Sequence, residues 1–532
     1  MMKKNYIHIY LLGLLLLSVA CTGKFREFNT DQSGITDEDL IIDDNGYGIR
    51  LGIIQQGIYF NYDYGKGKNW PFQLTQNLNA DMFSGYMHDA KPLNGGSHNS
   101  DYNMQDGWNS AMWTHMYSYI FPQIYQSENA TRDTHPALFG ITKILKVEVM
   151  HRVTDYYGPI IYRYFANAEK HYQPDTQKEV YYEFFNELDS AVVALTGYIE
   201  EKPESNGFAR FDILLDGKYS SWVKFANSLR LRLAMRLASI APDKARSEIE
   251  KIKENDYGFF ERGSEKVAVS TKTGYTNPLG ELNLVWNETY MNASMESILT
   301  GYDDPRLKAY FVPCTDEKFR GEYRGIRQGT CFAHNHYAGL SRLSVTQATD
   351  APLMTASEVW FLRAEAALRG WTDEDEENCY RNGVMTSFEQ WGVYGVEDYL
   401  KSERIASNFV DTYETENNME ARCKVSPKWN PSDDKEKKLE KIITQKWIAM
   451  FPEGCEAWAE QRRTGYPRLF PVRFNHSRNG CIDSETMVRR LHFPGTLQTE
   501  DPKQYSALVK ALDGEDHEGT RLWWDTGNNN LK

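Results

Sequence analysis

The chain has 532 residues, a formal net charge of −14 and no run rich in lysine and arginine. This charge balance argues against nucleic acid as a ligand and against electrostatic adhesion to anionic lipid. Aromatic side chains make up 13% of the residues and include 33 tyrosines and 13 tryptophans. Their flat apolar faces and polar tips suit contact with flat polar molecules such as sugar rings.

The first twenty residues have the pattern of a bacterial export signal. Lys3 and Lys4 precede an apolar run at 9–17, which is too short to cross a bilayer because spanning takes roughly 20 apolar residues. The signal ends at Cys21, which indicates lipoprotein processing. An ordinary secretory signal with an incidental cysteine is the alternative, since Ser18 stands where lipoprotein signals usually carry leucine.

Three parts of the chain follow from this signal. Residues 1–20 are expected to be removed, and Cys21 then becomes a lipid-modified, palmitate-bearing N-terminus. The Asp-rich stretch within 21–45 is typical of a tether, and 46–532 is predicted to form a single domain. Attachment to the membrane would depend on the lipid, and stable anchoring takes more than one acyl chain.

From Ile49 onward, apolar residues recur with the period of an α-helix. The clearest example is the series Trp222, Phe225, Leu229 and Leu233, whose members are three or four residues apart. Strand signals are short and sparse, so the predicted fold class is mostly α. Neighbouring helices resemble tetratricopeptide pairs, without a fixed repeat period. The helical segments are predicted at 135–156, 178–198, 220–239, 355–370 and 437–450.

Local signals also predict where further helices begin and end. The turn Ala241-Pro242-Asp243 predicts Asp243 as the cap of a helix that runs to about Asn255. Pro452 and Gly454 separate the helix at 437–450 from another at 455–464. The acidic run 373–377 lacks the glycine of a calcium-binding loop, so we interpret it as a solvated helix start.

Long polar and aromatic segments separate the helices, at 62–70, 86–108, 256–290, 312–345 and 410–434. Loops of this length within a compact protein are usually functional or disordered. Aromatic residues outside the helical stripes have less reason to serve as core, which favours them as ligand contacts. The predicted contacts are Tyr86, His98, Tyr102, Trp108, Trp286 and Tyr290, which lie near the amides of Asn94, Asn103 and Asn287.

The sequence contains none of the common catalytic or metal-binding motifs. There is no His-Glu-x-x-His, no Gly-x-Ser-x-Gly and no phosphate-binding or dinucleotide-binding glycine pattern. We therefore predict no enzyme activity, no cofactor and no metal site. A glycosidase needs only two suitably spaced carboxylates, so a surface glycoside hydrolase stays open as an alternative. Cys314 and Cys331 are the candidate disulfide pair, with free buried thiols as the alternative.

Several segments, in order along the chain, resemble the SusD/RagB family of outer-membrane lipoproteins, in particular its SusD-like branch. No single motif is specific for the family. The order of the motifs and their spread over nearly the whole chain are specific for it. One segment differs: Arg490-Leu491-His492-Phe493-Pro494 stands where the family has a tighter Pro-Tyr-Pro-like turn. The matching segments begin at Phe28, Gln76, His151, Ala226, Asp304, Met354, Gln445, Glu456, Arg462 and Arg521.

The resemblance implies a helical fold in which tetratricopeptide-like pairs support a ligand face built of loops. It also implies a partner, a TonB-dependent barrel of the SusC/RagA type in the outer membrane, on which the protein acts as a hinged lid facing the cell exterior. The ligands implied are oligosaccharides, with peptides as the alternative. Residues inside the motifs, such as Trp360, Trp447, Trp458 and the Arg462-Arg463 pair, are expected to hold the fold and not the ligand.

Overall fold

A computed structural model describes residues 45–61, 70–90, 93, 98–330, 336–527 and 530–531. The predicted signal, Cys21 and the tether up to residue 44 lie outside the described residues, as do Asn94 and Cys331. The division into signal, tether and single domain therefore stays a prediction. The predicted disulfide between Cys314 and Cys331 is wrong, because Cys314 is a free buried thiol whose sulfur lies 3.5 Å from the Ser341 hydroxyl, as the alternative of free buried thiols expected.

Helices dominate the described residues, which confirms the mostly α fold class. The α-helices of seven or more residues are α1 Asn45–Gly57, α2 Phe121–Thr131, α3 Pro136–Tyr157, α4 Gln177–Glu201, α5 Tyr219–Arg236, α6 Pro242–Ile252, α7 Pro278–Leu284, α8 Ala293–Tyr302, α9 Ala356–Leu368, α10 Glu376–Trp391, α11 Lys435–Ala449, α12 Gly454–Thr464 and α13 Pro502–Leu512. Single turns lie at Trp70–Phe72, Asn99–Asp101, Asp106–Asn109, Ala111–His115, Thr271–Thr273, Leu307–Tyr310, Val396–Tyr399, Thr415–Asn417, Arg478–Gly480 and Leu497–Glu500, and π-helical hydrogen bonding covers Gln73–Asp81 and Met116–Ile120.

The predicted helices are confirmed, each to within three residues at either end. The acidic run 373–377 begins α10 as predicted, because Asp375 accepts a hydrogen bond from the backbone N–H of Asn378 at 2.8 Å. The capping role of Asp243 is wrong. Pro242 occupies the first position of α6 and Ala241 is the cap residue, so Asp243 lies inside the first turn.

Helix α3 lies at the centre of the molecule, and nearly all of its residues are buried. It packs antiparallel to α4, with Lys146 Nζ 2.6 Å from Glu187 Oε1 and Tyr181 O–H donating to Asp155 at 2.6 Å. Further helix pairs are α4 with α5, α5 with α6, and α9 with α10. These pairs form the tetratricopeptide-like scaffold that was predicted.

A buried network of ion pairs joins the helices that carry the family motifs. Arg232 of α5 pairs with Glu358 of α9 at 2.7 Å, and Arg463 of α12 pairs with Glu365 of α9 at 2.6 Å. Arg462 stacks on the ring of the buried Trp458 at 3.5 Å. The motif residues hold the fold, as predicted for the arginine pair and for Trp458.

The strands are few and short, again as predicted. Met87–His88 (β1) pairs antiparallel with Tyr290–Met291 (β3), and Lys266–Val269 (β2) pairs antiparallel with Ala351–Thr355 (β4). Among the described residues, no helix combines the length and apolar character needed to cross a bilayer.

Candidate ligand-binding site

The short strand pair β1/β3 brings two of the long segments together. His88, the last residue of β1, lies opposite Tyr290, the first residue of β3. The chain therefore leaves β1 at the same end of the pair at which it enters β3. Asp89 and Ala90 leave β1 at that shared end, and the segment Trp286-Asn287-Glu288 leads towards β3 at the same end.

A small hydrophobic cluster, separate from the main core, lies beneath these segments. Every member comes from a segment that was predicted to be a long loop, so four of the five long segments meet here. We call the surface that they build the loop face. The members are Ala90, Tyr290, Cys314, Ile326, Tyr337 and Leu340, with Phe319 and Tyr413 packed at the edge.

Hydrogen bonds tie the same segments together. The Tyr337 hydroxyl donates to Asp411 Oδ1 at 3.1 Å, and the Tyr413 hydroxyl donates to Asp316 Oδ2 at 2.7 Å. Both bonds join 312–345 to 410–434. These two bonds hold the segments in a defined arrangement in the absence of ligand.

Four of the six predicted contact residues are buried, so the premise that they are exposed platforms is wrong for them. Tyr86, Tyr102 and Tyr290 are at most 2% exposed, and His98 is 3% exposed. The Tyr86 hydroxyl donates to the carbonyl of Trp447, and the Tyr290 hydroxyl donates to that of Ala338 at 3.2 Å. Tyr86 therefore joins its segment to α11, and Tyr290 joins its segment to 312–345.

His98 contacts two other buried polar residues, Ser100 and Asp89. Its Nδ1 accepts from the backbone N–H of Ser100 at 3.0 Å, so its Nε2 carries the hydrogen that faces Asp89 Oδ2 at 2.8 Å. Burial alone would lower the pKa of His98, but the Asp89 carboxylate raises it above its usual value. The imidazole edge meets the ring of Trp108 with centroids 5.7 Å apart and planes at 87°. His98 thus orients Trp108.

Trp108 and Trp286 are the predicted contacts that keep part of their rings at the surface, both being half-buried. Trp286 follows two exposed apolar residues, Leu284 and Val285, the latter 55% exposed. An apolar group of this kind at the surface marks a site of interaction more often than isolated exposed residues do.

The two residues that follow Trp286 in the chain are polar, and each accepts a hydrogen bond from another segment. Asn287, in the left-handed backbone region at φ 55°, accepts from the guanidinium of Arg342. Glu288 accepts from Gln73 Nε2 at 2.6 Å. Gln73 lies one helical turn after Trp70, which is 44% exposed.

Four residues at this surface were not predicted from the sequence: Trp70, Gln73, Glu288 and Arg342. Trp70 is in a recognised long segment and could have been chosen on the same grounds as the other aromatics. The other three have ordinary polar side chains, and only the tertiary structure places them beside Trp286. We call the group formed by Trp70, Gln73, Trp286, Asn287, Glu288 and Arg342 the tryptophan surface of the loop face.

Buried amides support the turn that carries Trp108. Asn99 Nδ2 donates to Asn79 Oδ1 at 2.7 Å and to Asn109 Oδ1 at 2.9 Å, which connects the turn Asp106–Asn109 to the π-helical segment Gln73–Asp81. Asn103 is partly buried, and its backbone N–H donates to Asp101. Single π-helical turns occur often at functional sites.

Among the described residues, no group of three or more histidine, cysteine, aspartate or glutamate side chains is placed to hold a metal ion. The tryptophan surface carries groups that can bind a ligand reversibly. Aromatic faces offer stacking, while amide, carboxylate and guanidinium groups offer hydrogen bonds.

The sequence model of the SusD-like family, described as "Susd and RagB outer membrane lipoprotein", matches residues 27–525. The chain belongs to this family. Solved structures agree with it. A SusD homologue from Bacteroides vulgatus is 45% identical with a TM-score of 0.88, and the match covers 92% of this chain and 100% of that one.

Two further SusD-like structures show the same fold. A chitin-binding SusD homologue from Flavobacterium johnsoniae is 38% identical, with a TM-score of 0.87 over 91% of this chain and 100% of that one. A SusD-like protein from Bacteroides thetaiotaomicron is 31% identical, with a TM-score of 0.83 over 91% and 100% of the two chains. No protein with a curated description matches significantly.

Proposed function

We propose that this SusD-like protein is a non-catalytic receptor that binds oligosaccharides at its loop face on the outside of the cell. The observation that carries the proposal is the tryptophan surface, where half-buried Trp286 adjoins polar groups already held in place by Gln73 and Arg342. The similarity to a chitin-binding homologue at 38% identity supports a glycan as the ligand class.

The physical basis is the double character of a sugar ring. Its C–H faces are apolar and stack on aromatic rings, whereas its hydroxyls donate and accept hydrogen bonds at the rim. Asn287 and Glu288 offer acceptors, and Arg342 offers donors, next to the ring of Trp286. Polar groups that are fixed before binding lose little conformational entropy when a ligand arrives.

The proposal includes an anchor and a partner. Lipid on Cys21 would hold the protein at the outer membrane, the location of the family to which it belongs. A SusC/RagA-like TonB-dependent barrel would receive the ligand, with this protein as its hinged lid. Both statements rest on family membership and on the form of the N-terminal signal.

Peptides are the first alternative ligand. Peptide capture by strand addition needs a free strand edge. On the loop face, β3 pairs with β1, and Tyr290 of β3 also bridges to Arg342. Strand β3 thus has neighbours from two segments, which favours a saccharide over an extended peptide at this place.

A surface glycoside hydrolase is the second alternative, and one incubation separates the three functions. Purified protein is mixed with a library of oligosaccharides and, in parallel, with a protein hydrolysate. The proposal predicts depletion of particular oligosaccharides from solution without new reducing ends. New reducing ends would identify a hydrolase, and selective retention of peptides alone would identify a peptide receptor.

A further inference from the structure

A cavity of about 260 Å³ lies beside the C-terminal end of α12, and none of the residues of the tryptophan surface lines it. Four arginines line it, although the whole chain carries a net charge of −14. They are Arg422, Arg468, Arg489 and Arg521, with Glu485 as the one carboxylate among the lining residues. Guanidinium groups gathered around a cavity suit an anionic group, above all a planar carboxylate.

Two of the arginines build the wall. Arg489 is buried and donates to Asp525 at 2.7 Å, to the carbonyl of Thr486 at 2.8 Å and to that of Arg462 at 2.5 Å. Arg422 donates to Glu485 through both terminal nitrogens. Since these donors are already engaged, the two side chains shape the cavity and are not its ligand-binding groups.

The other two arginines have donors to spare. Arg468 contacts Glu440 through Nε at 3.4 Å, and Arg521 donates through Nη1 to Asp525 at 2.6 Å. Their side chains are 53% and 39% exposed. An arginine has five N–H donors, so both retain donors without a partner among the described residues. An entering anion can therefore bind these remaining donors without breaking either ion pair.

An unpaired acceptor lies in the same cavity. Gln461 lines it and is only 6% exposed, yet its Oε1 has no hydrogen-bond partner among the described residues. Its Nε2 has one weak contact, 3.8 Å from the sulfur of Met487. A buried acceptor left without a donor is costly, and nearly all such groups in native proteins are satisfied. A ligand hydroxyl would supply the missing donor.

We propose that this cavity is a binding site for a small hydroxylated carboxylate, such as a uronic acid. The carboxylate would accept hydrogen bonds from Arg468 and Arg521, and a ring hydroxyl would donate to Gln461 Oε1. Sulfate satisfies only the first requirement, because it has no hydrogen to donate. The inference does not depend on ligand binding at the loop face.

The test is a titration of the full-length protein with sodium glucuronate, cyclohexanecarboxylate and glucose. Glucuronate is expected to bind more tightly than cyclohexanecarboxylate, and glucose is expected not to bind here. The double variant Arg468→Gln/Arg521→Gln should bind glucuronate at least about tenfold more weakly, since each lost charged hydrogen bond contributes roughly that factor. Arg404→Gln, at an exposed arginine paired with Asp303 outside the cavity, is the matched control.

A third variant tests the hydroxyl contact. Gln461→Met keeps the volume of the side chain and removes the acceptor, so the ratio of glucuronate to cyclohexanecarboxylate affinity should fall towards one. Because this ratio is taken within one variant, a change in stability does not affect it. The proposal is overturned if wild-type protein shows no saturable binding of glucuronate at millimolar concentration. It is equally overturned if the double arginine variant binds like wild type, or if Gln461→Met leaves the ratio unchanged.

Discussion

Tyr86 has both an apolar and a polar role at the base of the loop face. Its ring packs against Trp447 and Phe451, with centroids 5.0 and 5.4 Å apart, and its hydroxyl donates to the carbonyl of Trp447. Burial raises the pKa of this tyrosine well above its usual range, so the hydroxyl stays protonated and acts as a donor. The residue joins the start of the long segment 86–108 to α11.

Removing this hydroxyl tests the structural role of Tyr86. Tyr86→Phe leaves the Trp447 carbonyl buried without that donor, so the free energy of unfolding should fall by about 1–2 kcal/mol. Affinity for oligosaccharide should not change, because the side chain is buried. Denaturant unfolding and ligand titration on the same preparation check both statements. A weaker affinity at unchanged stability would instead place Tyr86 in the ligand site.

Residue types in the long segments could be identified from sequence, but their exposure could not. Tyr86 and Trp286 both lie outside any periodic apolar stripe, so a residue that pins a loop and one that forms a platform have the same local pattern. Their difference comes from tertiary packing: Tyr86 is buried and bonded to Trp447, whereas Trp286 keeps part of its ring at the surface. Sequence alone therefore reduces the number of candidate ligand contacts, but it does not show which of them are exposed.

The turn Asp106–Asn109, which presents Trp108, is clamped from the C-terminal part of the chain. Asp106 Oδ1 lies 2.7 Å from His492 Nε2 and accepts from the backbone N–H of Gly495 at 3.2 Å. The other imidazole nitrogen of His492 lies 2.5 Å from Glu518 Oε1. His492 is thus the histidine by which the segment 490–494 departs from the family pattern, and here it bridges two carboxylates.

This clamp should make stability depend on pH. Burial alone would lower the pKa of His492, but Glu518 and Asp106 raise it from 6.5 to about 9. The native state therefore holds a proton that the unfolded chain releases near pH 6.5. The stabilisation is fully present below that pH and is lost as pH rises through about 9.

His492→Gln should remove the effect. Between pH 6.5 and 9 the free energy of unfolding of the wild type is expected to fall relative to the variant by about 3 kcal/mol. Denaturant unfolding at several pH values measures this difference. His171→Gln, at an exposed histidine, should follow the wild-type curve. Parallel curves for wild type and His492→Gln would show that the charged bridge does not form.

At the scale of helices, apolar periodicity was sufficient to locate α3, α4, α5, α9 and α11, because apolar residues recur in each with the helical period. It did not predict the burial of the charged residues. Arg232 and Arg236 lie off the apolar stripe of α5, which by itself indicates a solvent-facing side. Both are buried because Glu358, Glu456 and Glu460 lie opposite them, and no local pattern reports a partner more than a hundred residues away.

Across the whole molecule, this network explains why the family motifs are spread so widely. Arg232, Glu358, Lys446, Glu456 and Arg463 come from five separate motif segments and meet in one buried cluster. Losing one partner would leave a buried charge unpaired, which typically costs about 3–5 kcal/mol. The scaffold therefore depends on the motifs, while the long segments that build the loop face carry few of them.

Attachment of the molecule to the membrane is predicted to depend on the lipid at Cys21. Cys21→Ala removes the predicted lipidation site, so the protein should lose labelled palmitate and move from the membrane to the soluble fraction. Continued acylation of the variant would place the anchor elsewhere.

The proposed partnership with a barrel is tested on the wild type. Affinity purification from native membranes in mild detergent should recover a much larger barrel protein with it. Recovery of the wild type alone would count against the role of a lid.

Calorimetric titration tests whether the loop face binds oligosaccharide through its tryptophans. An oligosaccharide retained from the library is titrated into wild type, Trp286→Ala, Trp108→Ala and Trp371→Ala, the last at a half-buried tryptophan outside the loop face. Loss of a stacking platform should weaken binding by about 2 kcal/mol, or roughly 30-fold, while the Tm stays near that of wild type. We expect this loss for Trp286→Ala and Trp108→Ala, and wild-type affinity for Trp371→Ala. Wild-type affinity in both loop-face variants would show that the tryptophans do not bind the oligosaccharide.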